Sequence, residues 1–196
     1  MTDDRRPTTD SRRAIFLDRD GVISVNRSNY VKTWDEFSFL PRALDALRRL
    51  ASSKFVLAVT TNQSVVSRGL TDDATLRDIH ARMITKIKQA GGRIDAVYYC
   101  PHKPGDGCDC RKPLPGMYSR AERDFDIDLP RSFVIGDAFD DVAAAHAIGA
   151  QPILVLTGRG QSQHDEMTRN NHAGYVVVED LMDAVDWIAR AEGIAL

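Results

Sequence analysis

The 196-residue chain has three cysteines, all inside residues 100–110, and its 26 lysines and arginines do not outnumber its 28 aspartates and glutamates. Each scarcity removes a class of protein. An odd and tightly clustered cysteine count does not read as a disulfide framework; in a reducing compartment it points to a metal. A formal charge of -2 from well-mixed acids and bases leaves no basic footprint for nucleic acid and no polybasic arm for a membrane. No apolar run approaches the length of a membrane span. The start, MTDDRRPTTDSRR, lacks the apolar core of a signal peptide, so a cytoplasmic protein is expected. Internal repeats, low-complexity blocks and long linkers are missing as well, which leaves one folded domain over 14–196 behind a mobile polar tail, 1–13.

What is present is alternation. Short apolar runs rich in β-branched residues occur at 14–18, 55–61, 94–100, 132–137, 151–157 and 175–180, with helix-like segments between them. Pro41 is placed to open a helix carrying Leu44, Leu47 and Leu50 on one stripe. Thr71 is placed to cap a helix carrying Leu76, Ile79, Met83 and Ile87 that stops at Gly91-Gly92. The pattern predicts an α/β fold: a Rossmann-like parallel sheet wrapped on both faces by helices, without a separate cap domain. In such sheets ligands bind beyond the carboxyl ends of the strands.

Several of the runs end in groups able to do chemistry. The first ends in Asp18-Arg19-Asp20-Gly21, where one carboxylate can act as nucleophile or metal ligand and the other as general acid/base, although Asp-Gly is also a common turn signal. The second ends in Thr60-Thr61-Asn62-Gln63, a set suited to phosphate oxygens. The fourth ends in GDAFDD, 136–141, whose acids can complete an oxygen-ligand Mg²⁺ site with Asp18 or merely cap a helix. Arg111-Lys112 offers cations to an anion, or a solvated basic pair. Cys100, His102, Cys108 and Cys110 form a Cys₃His set for tetrahedral Zn²⁺; four protein ligands leave no open position, so a structural zinc is expected. His80, His146, His164 and His172 have no comparable sequence neighbours and read as helix or loop residues.

Taken in order, DxD, a threonine, a lysine and GDxxxD resemble the haloacid dehalogenase superfamily of phosphatases. DRDG, TNQS followed by Arg68-Gly69, YYCPH, and CDCRKP followed by Gly116-Met117 are similar to its heptose bisphosphate and histidinol-phosphate phosphatase branch, which carries zinc; the likeness covers about Ala14 to Ile188. The resemblance implies a Mg²⁺-dependent phosphatase. Asp18 is the implied nucleophile forming an aspartyl-phosphate, Asp20 the general acid/base, and Thr61 (or Thr60) and Lys112 the holders of the phosphoryl oxygens. The implied Mg²⁺ ligands are Asp18, the Asp20 carbonyl and Asp137, with Asp141 orienting water or Lys112. Arg111 resembles an arginine on a remote substrate phosphate; Asn62, Asn26 and Tyr30 are candidate substrate contacts.

Two positions depart from the branch pattern: Val65 stands where TNQSG has glycine, and Ala138 where lysine often follows GD. Both bear on substrate choice. The implied substrate is a sugar bisphosphate, foremost D-glycero-D-manno-heptose 1,7-bisphosphate at its 7-phosphate. Histidinol phosphate or another phosphomonoester is the alternative, and a non-catalytic zinc-loop binding module the rival of another class. A monomer acting on a small phosphorylated sugar is expected.

Overall fold

A computed structural model describes residues 11–195. Its framework is a six-stranded sheet of β1 (Ala14–Leu17), β2 (Val56–Asn62), β3 (Ala96–Cys100), β4 (Phe133–Gly136), β5 (Gln151–Val155) and β6 (Val176–Val178). The strands lie in the order β3-β2-β1-β4-β5-β6, and every neighbouring pair is parallel. All six apolar runs became strands, most of them shorter than the runs. The trimmed residues matter, because Asp18 and Asp137 now stand just past their strands.

Helices α1 (Ala43–Leu50), α2 (Asp73–Gln89), α3 (Gly116–Phe125), α4 (Phe139–Ala147), α5 (Gly160–Arg169) and α6 (Leu181–Glu192) cover the sheet. The period-2 alternation of a strand sends successive side chains to opposite faces. Ile15, Leu17, Leu57 and Val59 join one core with Leu47, Leu50, Ile79, Met83, Val185 and Ile188. Ala14, Phe16, Val56 and Ala58 join the other with Met117, Tyr118, Ala121 and Ala145. Phe16 meets Tyr118 edge to face, with ring centroids 5.0 Å apart. Truncating Phe16 to alanine would cost about 3–5 kcal/mol in lost burial and cavity formation.

The helix starts differ from expectation. Arg42 takes a left-handed conformation, φ 60°, so Pro41 lies in a turn and α1 begins at Ala43. Its fully buried stripe is Ala43, Ala46, Leu47 and Leu50, with Leu44 only half-buried. α2 is capped by Asp72, whose carboxylate accepts from the Thr75 amide at 2.6 Å. Thr71 instead donates its hydroxyl to the Lys32 carbonyl. A carboxylate next to a threonine wins the cap because it also answers the positive end of the helix dipole.

The polar start is also partly recruited. The Arg12 amide donates to the Asp126 carbonyl and the Asp128 amide to the Arg12 carbonyl, while the Val56 amide bonds the Arg13 carbonyl. The Arg13 guanidinium pairs with Glu192 at 2.5 Å and lies over the Phe55 ring. Residues 11–13 therefore belong to the fold, and the remainder of the expected tail, 1–10, lies outside the described residues. Among the described residues no helix is long and apolar enough to cross a membrane.

The chain lays down β1, β2 and β3 in one direction, then returns to the centre and lays down β4, β5 and β6 in the other. The reversal falls between β1 and β4. There the loops leaving two adjacent strands part in opposite directions and open a crevice at their carboxyl ends.

Candidate active site

Asp18 sits in that crevice. Its amide still donates to the Ile135 carbonyl at 2.9 Å, one residue past β1, so its backbone is held by the ladder although its side chain belongs to the site. Asp137 follows β4, and Asp141 projects from the first turn of α4. Lys112 arrives from the segment between β3 and α3, with its ammonium donating to Asp18 at 2.9 Å, to Asp141 at 2.6 Å and to the Thr60 carbonyl at 2.7 Å. Residues distant in sequence thus converge on one buried ammonium.

The local charge is unbalanced. Carboxylate oxygens of Asp18, Asp137 and Asp141 lie within 4.8 Å of one another, and all three residues are buried. The Lys112 ammonium and the Arg159 guanidinium, 3.5 Å from Asp137, are two cations against three carboxylates. Burial raises the Asp18 carboxyl above its ordinary value, Lys112 opposes that, and Asp141 and Asp20 add to it. Asp137 is pushed up to about 7 by burial and by the charges of Asp18 and Asp141. Burial would lower the Lys112 ammonium, but the two carboxylates it touches hold it above the usual lysine range.

Asp137 also has a defined unmet need. Its Oδ2 accepts from the Arg159 amide at 2.8 Å, whereas the fully buried Oδ1 has no hydrogen-bond donor, the Arg159 guanidinium standing 3.5 Å away. An orphaned buried carboxylate oxygen beside two further acids is a donor set that fits a hard divalent cation such as Mg²⁺. Two glycines allow the arrangement. A Cβ at Gly21, φ +92°, would come within 2.0 Å of Asp137 Oδ2, and one at Gly158, φ +61°, within 2.3 Å.

Asp20 is held differently. Arg19 Nε and Nη2 donate to its two oxygens at 3.1 and 2.8 Å, Gln63 donates at 2.9 Å and the Ser24 hydroxyl at 3.0 Å. Burial would raise this carboxyl, but the Arg19 charge and these bonds together bring it below its ordinary value. Gln63 also donates to the Thr61 hydroxyl at 2.9 Å. The two threonines separate cleanly: Thr60 turns toward the Tyr118 hydroxyl, while Thr61 lines the cavity above Asp18.

That cavity has a volume of about 570 Å³. Asp18, Asp20, Thr61, Asn62, Arg111, Lys112, Asn26 and Tyr30 all line it, and so do Arg27, Arg68 and Arg159. Asn62 has a second task, since its side chain donates to the Lys112 carbonyl at 3.2 Å and accepts from the Lys112 amide at 3.0 Å. One amide hydrogen and one lone pair of its oxygen are engaged with backbone, so Asn62 places Lys112 and keeps a second N–H on the cavity it lines. Tyr30 is left-handed, φ 66°, and its ring lies under the Arg68 guanidinium. Arg111 donates to the His102 carbonyl at 3.0 Å, tying the cavity wall to the cysteine loop. Val65 is fully buried and outside the positive-φ region, so the backbone there has no need of glycine; Ala138 caps nothing with its side chain but gives its amide to Asp141.

In the cysteine loop, Cys100, His102, Cys108 and Cys110 place their ligand atoms within 4.8 Å of one another. Cys100 lies 3.7 Å from Cys108 and 3.0 Å from Cys110, and His102 Nδ1 lies 3.6 Å from Cys100 and 3.4 Å from Cys110. Tetrahedral Zn–S bonds of about 2.3 Å set ligand separations of about 3.8 Å, so most of these spacings are close to those zinc requires. Burial and the neighbouring sulfurs push the Cys110 thiol up, which a cation would reverse. The set can bind zinc.

Sequence reading missed Arg27, Arg159 and the surroundings of His80. Arg159 lies four residues past the end of β5, directly after Gly158, so the strand-end rule could have found it. His80 is buried in α2 with its Nε2 3.1 Å from Arg19 Nη1, not a plain helix residue.

A HAD-hydrolase-like family model matches residues 109–184. The chain is 43% identical over 150 residues to a D-glycero-beta-D-manno-heptose-1,7-bisphosphate 7-phosphatase of Pseudomonas aeruginosa, covering 76% of this chain and 84% of the relative. It is 46% identical over 147 residues to the same-named protein of Bordetella bronchiseptica, covering 75% and 82%. Among solved structures, the D,D-heptose 1,7-bisphosphate phosphatase of B. bronchiseptica, complexed with magnesium and phosphate, superposes with a TM-score of 0.85 at 40% identity over 91% of this chain and 99% of that one. The corresponding protein of Burkholderia thailandensis gives 0.69 at 34% identity over 91% and 99%.

Proposed function

Since the chain belongs to the heptose 1,7-bisphosphate 7-phosphatase family of haloacid dehalogenase-like hydrolases, we propose that it removes the 7-phosphate of D-glycero-β-D-manno-heptose 1,7-bisphosphate. The observation that carries this reading is Asp18: a ladder-held carboxylate in the switch-point crevice, bonded to Lys112, opening into a cavity rimmed by arginines. A sugar with two phosphates needs one such reacting centre and more positive charge further out. Arg111, Arg68, Arg27 and Arg159 supply that charge, while Asn26 and Tyr30 face the same space.

In the proposed reaction an Asp18 oxygen attacks phosphorus and the bond to the sugar oxygen breaks. The negative charge of the bound ester, opposing that of Arg19, favours the protonated form of Asp20, whose carboxyl gives its proton to that leaving oxygen as an aspartyl-phosphate forms on Asp18. Asp20, now a carboxylate, takes a proton from a water that attacks the same phosphorus, releasing phosphate and restoring Asp18. Lys112 and the Thr61 hydroxyl hold the nonbridging oxygens. Asp18, the Asp20 carbonyl and Asp137 would hold Mg²⁺, which supplies the positive charge that lets an anionic carboxylate approach an anionic ester. Asp141 has one oxygen on Lys112 and the other on the Ala138 amide, which supports a role in fixing Lys112.

The zinc loop fits a structural part. It ends at Arg111 and Lys112, so a closed tetrahedral site there would anchor the cation that reaches Asp18. The chain is read as a monomer, to be checked by light scattering.

The test is phosphate release from the β anomer of the heptose bisphosphate with Mg²⁺, beside the α anomer, histidinol phosphate and simple esters. Turnover of the β-bisphosphate at the highest kcat/KM is expected. A preference for histidinol phosphate would move the substrate, and failure of every ester would sink the phosphatase reading.

A further inference from the structure

Arg19 is the largest of the fully buried side chains, and its position between the two reactive aspartates makes its environment consequential. Its guanidinium faces two ways. Nε and Nη2 form a fork on the two oxygens of Asp20, and the remaining arm, Nη1, reaches His80 Nε2 at 3.1 Å. A guanidinium only donates, so His80 Nε2 must accept, and the ring proton sits on Nδ1. The acceptor is itself held: His80 is buried in α2, and its ring packs against Tyr99 with centroids 5.5 Å apart. Tyr99 in turn donates to Asp73, in the first turn of the same helix, at 2.6 Å.

We infer that His80 is a positioning residue for the phosphatase reaction: by accepting from Arg19 it fixes the plane of the guanidinium fork and so the place in which Asp20 is held, from which one oxygen is released by its donors when the carboxyl is protonated and turns to the leaving oxygen. The inference rests on the proposed role of Asp20 as general acid. Three features support it. The His80 ring stays neutral, because burial and the Arg19 charge lower it to about 3, so it remains an acceptor at any working pH. The fork is bidentate, and bidentate geometry fixes angle as well as distance. The other donors on Asp20, Gln63 and Ser24, each supply a single bond, so neither alone sets the carboxyl plane.

The experiment compares kcat/KM for an alkyl phosphate, the heptose bisphosphate, with that for p-nitrophenyl phosphate, using the full chain with Mg²⁺. Departure of an alkoxide needs a proton from Asp20; departure of nitrophenolate does not. Because kcat/KM reports only through release of the alcohol, the later role of Asp20 as base does not enter. His80→Leu is expected to lower kcat/KM for the alkyl ester by about tenfold, part of what a general acid contributes, and to leave the aryl ester within about threefold. His80→Gln, which keeps an acceptor, restores most of the loss. Should His80→Leu fail to fold, Arg19→Lys, which retains the charge but not the fork, is expected to show the same split. Equal losses on both esters, or none on either, would overturn the inference. Asp20→Asn serves as the reference: if it too lowers both esters equally, the acid assignment itself is wrong, and that outcome is separate from a failure confined to His80.

Discussion

Two clusters of metal-ligating groups occur among the described residues, and they are built on opposite principles. The Cys₃His set comes from one loop of eleven residues, so chain proximity alone brings its ligands together. The carboxylate set comes from the ends of β1 and β4 and the start of α4, with Lys112 delivered from the segment that follows the edge strand β3. A local site can fold around its ion; a dispersed one exists only after the sheet has formed. The dispersed site therefore adds nothing to folding before the sheet is built, and its excess of negative charge acts against the fold until a cation binds and offsets it.

The largest expected contrast is in activity. Asp18→Asn should lower kcat by at least about 10⁴-fold, as removal of a nucleophile does, while leaving the melting temperature within a few degrees. A Cys110→Ser variant, or zinc stripping, should do the reverse in kind: unfolding at a temperature lowered by about 10 °C or more, because metal binding is coupled to folding. Equal melting shifts on removing Mg²⁺ and zinc would erase the distinction.

The next contrast lies within the carboxylate site. Lys112→Met leaves two buried carboxylates facing each other and should destabilise by about 3–5 kcal/mol in urea unfolding. Adding Asp141→Asn should recover part of that, a coupling read from the double-mutant cycle. Additive losses would show that the three groups do not act together.

A pH series separates the clusters more finely. In the folded metal-free chain Asp137 keeps its proton up to about 7, whereas unfolded it loses it above 3.8. The folded state then binds more protons than the unfolded one across that window, so unfolding free energy falls as pH rises from about 4 to about 7. Below the window the penalty is absent. Mg²⁺ should thus raise the melting temperature more at pH 8 than at pH 5, and Asp137→Asn should flatten the metal-free slope; a slope unchanged by that substitution would remove Asp137 as its source. The smallest effect expected is for Asn62→Ala, about a tenfold loss of kcat/KM as Lys112 loses its backbone partner.

The two clusters also differed in how far the sequence revealed them. The grouping of Cys100, His102, Cys108 and Cys110 was legible from spacing alone. The strands were legible from apolar runs, and the strand-end rule then put Asp18, Thr61 and Asp137 on one rim. What stayed hidden depended on side-chain direction. The TNQ run does not say that Asn62 turns to the Lys112 backbone, nor a histidine on a helix that it meets Arg19 across the sheet edge. Helix starts slipped for a local reason: Thr71 and Asp72 are both good caps, and only the folded chain shows that Thr71 is drawn off to Lys32.

Gly21 and Gly158 give the oxygen site a boundary made of hydrogen atoms. They press on Asp137 from two loops that meet only in the fold, and the Thr157 hydroxyl binds the Gly21 carbonyl at 2.6 Å, pinning the loops together. The two loops act as halves of a mould, and a single added methyl on either half would cast the carboxylate elsewhere. Alanine at Gly21 or Gly158 thus deforms the oxygen cage without replacing a ligand, a lesion that a comparison of reactive side chains alone would overlook.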